Sequence, residues 1–210
     1  MSTGPSSARA RSSSAEHIRD VALREFAAQG TAGTSLRAVA AAAGVSVGRV
    51  QHHFGTKARL IEAVDNHVLA VLRSQLPGPD SKPVADPVGD FGNHVIALMA
   101  DHPHVIGYLS RALIEGSEFG SIVFDNLADR GRARWETLMR LEIARPDLDV
   151  TWGALNPILL ALVVFMLRTQ IERHLPEPLT TPAQLQRWEH AVSALIRHGQ
   201  LRREAEDGAG

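Results

Sequence analysis

The sequence predicts an all-α protein, and three observations carry that expectation. Apolar residues return along the chain at spacings of three and four, the period of an amphipathic helix. Runs of β-branched residues with strict alternation, the mark of a half-buried strand, are nearly absent. Gly, Pro, Ser and Thr then punctuate the chain so as to cut it into about nine helices.

The elements follow in order. Residues 1–14 carry small polar side chains and two arginines with no apolar run behind them, so they read as a flexible arm and not as a secretory signal. Arg9 and Arg11 have the chemistry to enter a minor groove, although a tail without a specific role accounts for them too. From Ser14 to Gln29, Ile18, Val21, Ala22 and Phe26 share one face, and Gly30 supplies a stop. Thr34 and Ser35 offer N-cap oxygens to a short second helix whose inward residues are Leu36, Val39 and Ala40 and which stops at Gly44. Ser46 caps a third helix running to about Phe54. Gly55 ends it, and Thr56 caps a fourth with Leu60, Ile61, Val64, Val68, Leu69 and Leu72 as its stripe. Residues 15–75 form the first expected domain.

From Leu76 to Val88 the chain reads LPGPDSKPVADPV, where four prolines and a glycine forbid a regular helix. This is the expected boundary. A second domain, 76–210, is expected to hold helices near 88–101, 104–117, 121–145, 151–174 and 182–203, with breaks at Pro103, Gly120, Pro146 and the segment PEPLTTP. The net charge of −1 conceals an asymmetry: residues 1–75 hold nine Arg and Lys against five Asp and Glu, residues 76–210 thirteen against eighteen. Such a division points to a module that meets a polyanion joined to one that does not. With no cysteine, disulfides, thiolate metal sites and cysteine nucleophiles are excluded, which fits the expected cytoplasmic location. The most apolar segment, Trp152 to Leu167, contains Asn156 and Pro157 and falls short of the roughly 18 residues of a membrane span. It reads as a buried helix, and no membrane partner is expected.

The stretch GVSVG, Gly44 to Gly48, spells the G-x-S-x-G of a nucleophile elbow. That motif needs a buried strand running into its first glycine, and here SLRAVAAAA precedes it, a run of strong helix formers. Ser46 is therefore expected to cap a helix, and no catalytic residue is assigned. Two short helices joined by a tight glycine turn and supported by a preceding helix form a helix-turn-helix, whose second helix enters the major groove. With Val50 and Phe54 inward, Gly48, Arg49 and His52 point out and Gln51 and His53 flank them, while Val47 is ambiguous. Arg49 suits guanine O6 and N7, Gln51 suits adenine N6 and N7, and Lys57 suits a phosphate at the next helix start.

The stretch from Thr34 to Val64, with IRDVALREFAAQG before it, resembles the DNA-binding domain of the TetR family of bacterial transcriptional regulators. The resemblance implies a homodimer on a palindromic operator, with a second domain that takes a small molecule and thereby releases the DNA. It assigns DNA contacts to Thr34, Ser35, Ser46, Val47, Gly48, Arg49, Gln51, His52, His53 and Lys57. Position 51 is usually tyrosine in such proteins, and Gln51 here replaces a phosphate-directed hydroxyl with a base-reading amide. Position 47 is often basic or proline, and Val47 shifts contact toward a thymine methyl. The resemblance further implies a dimer interface from the last two helices, for which Leu159, Val163, Met166, Leu185, Trp188, Val192, Leu195 and Ile196 are the candidates.

Around a cavity in the second domain we expect Phe91, His94, Val95, Leu98, Met99, Tyr108, Arg111, Leu113, Phe124, Trp135 and Trp152. The apolar ones serve plain core packing equally well. His94, His102 and His104 lie near Asp101, but Pro103 and the spacing deny them the regularity of a helical metal pair. No metal and no cofactor is expected. The reading is a ligand-responsive DNA-binding regulator, a repressor, and not an enzyme.

Overall fold

The computed structural model describes residues 5–76 and 86–202, with backbone alone for 5–13. The side chains of Arg9 and Arg11 and most of the proline-rich connection, 77–85, thus lie outside the described residues. The described residues form ten helices and no strand beyond a single antiparallel bridge between Ala144 and Leu201.

Four helices make the N-terminal part: α1 (Pro5–Gly33), α2 (Leu36–Ala42), α3 (Val47–Phe54) and α4 (Lys57–Gln75). α1 begins nine residues before the expected start at Ser14. A proline can open a helix because its missing N–H would be unpaired in the first turn, and the alanines and arginines that follow are good helix formers. Gly30 breaks the helical path as expected, with φ 79° and ψ 160°, a conformation that favours glycine. All three following caps form: Ser35 Oγ accepts from Ala38 N at 3.1 Å, Ser46 Oγ from Arg49 N at 3.3 Å and Thr56 Oγ1 from Arg59 N at 3.3 Å.

The remainder comprises α5 (Pro87–Asp101), α6 (Pro103–Ile114), α7 (Glu118–Arg140), α8 (Val150–Met166), α9 (Arg168–Glu172) and α10 (Pro182–Gln200). The tenth helix arises because the span expected over 151–174 is interrupted at Leu167, whose backbone leaves helical geometry and whose carbonyl starts a new turn by accepting from Gln170 N and Ile171 N. Gly120 does not end a helix. The break falls at Gly116 and Ser117, where Ser117 Oγ accepts from Gly120 N at 3.1 Å. Gly120 is a packing residue: a Cβ there would lie 2.7 Å from the Ala112 carbonyl oxygen, so its absence lets α7 start against α6. α7 stops at Arg140, short of 145, because the chain turns to pair with the end of α10, Arg145 N donating to Gln200 O at 3.0 Å.

One apolar cluster runs from Ile18 in α1 to Leu185 in α10, and a second gathers Val88, Trp135, Leu138, Ala144, Ala154 and Ile196. α1 packs along α6, which ties the two expected domains together at their centre. No helix among the described residues is long and apolar enough to cross a membrane.

Candidate nucleic-acid interface and ligand cavity

α3 has the division its sequence demands. Val50 is fully buried, whereas Gly48, Arg49, Gln51 and His52 are exposed. Val47, ambiguous on the helical wheel, is half-buried and packs against the core. Gly44, with φ 66°, reverses the chain between α2 and α3 where an L side chain would be strained, and so sets the angle at which α3 leaves the body. Arg49 makes no ion pair among the described residues, so its guanidinium donors remain available. His53 is half-buried, and burial, with His52 and Arg49 beside it, holds its pKa below the ordinary value. It therefore stays neutral at pH 7.

Ser35 and Ser46 are exposed beside this face, each with its oxygen engaged in a cap. Ser46 has helices on both sides, so the strand that a nucleophile elbow requires is missing. Ser46→Ala is expected to cost about 1 kcal/mol through loss of the cap, measured by urea denaturation. An unchanged midpoint would deny the cap its role. Thr34 is a correction. It is 1% exposed and its hydroxyl donates to the Gly30 carbonyl at 2.8 Å, so it closes the end of α1 and offers no side chain to a groove. Lys57 Nζ lies 3.4 Å from the Ala32 carbonyl, bridging the start of α4 to the turn after α1.

A cavity of about 160 Å³ opens between α5, α7, α8 and α10. Of the residues expected there, Phe91, Val95 and Trp135 line it. Leu98, Met99, Leu113 and Phe124 pack into the core instead. Trp152 is 55% exposed on the outer face of α8, and His94 stays at the surface, its Nδ1 donating to the Asp90 carbonyl at 2.7 Å. Tyr108 and Arg111 face a separate cleft against the N-terminal helices. Tyr108 Oη donates to Asp65 Oδ1 at 2.7 Å, while Arg111 Nε and Nη2 donate to the carbonyls of Ala27 and Ala28 at 3.2 and 2.9 Å. Arg111 thus satisfies the carbonyl end of α1, the favourable place for a cation on a helix. The histidines near Asp101 do not converge: among the described residues no three His, Asp or Glu side chains gather around one point.

Sequence reasoning missed Glu189, Arg130 and Arg134 in the cavity wall. The signal for Glu189 was present, since it sits in register with Leu185, Val192 and Ile196 on one face of α10. The expected dimer residues divide. Leu185 (1% exposed) and Ile196 (7%) are buried within the protomer, and Trp188 and Val192 line the cavity. The helix wheel could not separate these from outward positions because α10 packs on both α5 and α8. Leu159, Val163 and Met166 remain exposed along α8 with Trp152, and Leu195 on α10 is 69% exposed.

Comparison with known proteins agrees with this architecture. Residues 18–64 match the model described as bacterial regulatory proteins, tetR family. The chain is 32% identical over 136 residues to the HTH-type transcriptional regulatory protein RaaS of Mycobacterium tuberculosis, a match that spans 63% of this chain and 60% of that relative. It is 31% identical over 150 residues to the HTH-type transcriptional repressor Rv3405c of the same organism, covering 68% of this chain and 73% of the relative. Among solved structures, AibR in complex with isovaleryl coenzyme A and operator DNA superposes with a TM-score of 0.67 at 19% identity, over 87% of this chain and 97% of the other. With its helix-turn-helix and its helical second half, the chain belongs to the TetR family of bacterial transcriptional regulators.

Proposed function

We propose that this protein is a repressor that binds a palindromic operator as a homodimer and leaves it when a small molecule fills the α5–α7–α8–α10 cavity. The observation that carries the DNA-binding part is the split of α3 between a buried Val50 and an exposed Arg49, Gln51 and His52. Arg49 and Gln51 read bases, His52 and His53 flank them, and Ser35, Ser46, Gly48 and Val47 approach the backbone or the groove floor. Lys57 docks a phosphate at the start of α4. The apolar stripe of Trp152, Leu159, Val163 and Met166 with Leu195 meets its copy across a two-fold axis, since so large an exposed apolar face is otherwise costly. Support for repression and for a small effector comes from Rv3405c, a repressor, and from AibR, solved with both a ligand and operator DNA.

The test is selection of bound duplexes from a random pool by the purified protein. A palindrome with half-sites about one helical turn apart is expected; no enriched motif at low or moderate salt would overturn the reading. On the selected operator Arg49→Ala should cost about 1 to 3 kcal/mol and relax choice at one base pair, whereas Lys57→Ala should weaken all sequences alike and flatten the salt dependence. Equal loss on operator and random DNA for Arg49→Ala would remove its base-reading role.

A further inference from the structure

Among the described residues lining the cavity Glu189 is the one carboxylate, and it is 6% exposed. Its Oε1 accepts the Ser193 hydroxyl, and among the described residues its one ion-pair contact is the Nε2 of exposed His190, 3.9 Å from Oε2. A carboxylate so placed has given up most of its water for a single close hydroxyl, an incomplete exchange that a cation would complete. The opposite wall makes room for it. A Cβ at Gly92 would overlap Glu189 Oε1, so glycine at that position lets the carboxylate lie directly against α5.

The ion pairs among the described residues join neither wall arginine to Glu189. Arg130 Nη2 donates to the Leu76 carbonyl at 3.3 Å and Arg134 Nη2 to the Pro87 carbonyl at 2.6 Å, bracing the two ends of the α4–α5 connection. Burial lowers the Arg134 pKa, and the Asp90 carboxylate opposes that shift. Along α5, the Arg134 contact at Pro87 and the Glu189 contact at Gly92 stand roughly 7.5 Å apart. Phe91, Trp135 and Trp188 contribute aromatic surface to the same cavity, and aromatic faces attract cations. An apolar cavity of roughly 150 Å³ admits benzene, which sets the scale of the occupant.

We propose that the effector is a small apolar organic cation, an amine or quaternary ammonium, whose charged head sits at Glu189. This rests on the reading of the cavity as the effector site. The test is calorimetric titration of the full chain, free of DNA, with benzylammonium, the neutral benzyl alcohol of equal size and the anion benzoate. The cation is expected to bind about tenfold or more tightly than the other two. Glu189→Gln, of equal size, should erase that preference, and Ser193→Ala, which keeps the carboxylate, should preserve it. Equal or tighter binding of the neutral or anionic probe, binding of none of the three, or a preference that survives Glu189→Gln would overturn the proposal. Should Glu189→Gln fail to fold by circular dichroism, the selectivity of the unmodified protein decides alone. Cation binding without any enriched duplex would sink the operator reading and leave the cation site at Glu189 standing, and an operator without cation selectivity would do the reverse.

Discussion

Phe26→Ala is expected to lower the unfolding free energy by about 3 to 5 kcal/mol. Phe26 is fully buried in α1, and its ring centre lies 6.4 Å from that of Tyr108 in α6, which in turn lies 5.7 Å from Phe119 in α7. The ring therefore belongs to the core of the helix-turn-helix and to the seam between the two halves at once. Its loss should loosen both, so urea denaturation should show one lowered midpoint whether followed by far-ultraviolet dichroism or by protease susceptibility of the N-terminal helices. A loss below about 1 kcal/mol, within reach of a surface substitution, would mean that the seam repacks and that the first apolar cluster described above is less cooperative than its contacts imply.

Tyr108→Phe is expected to cost about 2 to 3 kcal/mol at neutral pH, because it removes only one hydroxyl but leaves the half-buried Asp65 carboxylate without its donor. Burial pushes the Asp65 carboxyl above its ordinary value, the Tyr108 hydrogen bond opposes this, and Glu62 adds a further upward push. Burial and the nearby carboxylate likewise hold the Tyr108 phenol protonated, so it remains the donor. The folded protein keeps the Asp65 proton to a higher pH than the unfolded chain does. Ionising it therefore costs stability as pH rises from the ordinary carboxylate range through the raised value, and the cost stays full above that. Without Tyr108 Oη the carboxyl rises further. The stability gap between Tyr108→Phe and the unmodified protein should be widest near pH 7 and narrow as pH falls through the raised value, where the folded Asp65 takes up its proton. Asp65→Asn, which retains an acceptor and removes the charge, should be close to neutral. A gap that does not vary with pH would show that the hydroxyl acts by packing alone.

Much of this was legible along the chain, and the reason is local. Ser35, Ser46 and Thr56 each cap the helix that follows, and Gly30, Gly44 and Gly55 each take a positive φ at a turn; caps and turns depend on a few neighbouring residues and leave marks in the sequence. Thr34 is the instructive failure in that region. Ser35 beside it is equally able to cap, and only the path of the chain after Gly30 decides that Ser35 faces outward while Thr34 turns in. In the second half the decisive contacts join residues far apart. Gly120 carries the sequence mark of a helix stop but packs on Ala112, and Trp188 and Val192 look like neighbours of Leu195 until α5 and α8 close around α10. Arg111 reaches across more than eighty residues to the carbonyls of Ala27 and Ala28, a partner that no periodicity encodes.

The three tryptophans occupy three different surroundings: Trp135 is buried in the cavity wall, Trp188 borders the same cavity half-buried, and Trp152 is largely exposed on the apolar stripe of α8. Indole emission moves to shorter wavelength as water leaves the ring, so the native protein carries its own optical reporters of separate events. Dissociation of the proposed dimer on dilution would redden the Trp152 component, whereas entry of the proposed effector would perturb Trp135 and Trp188 and leave that component in place. Single replacements of tryptophan by phenylalanine would resolve the contributions without an external dye.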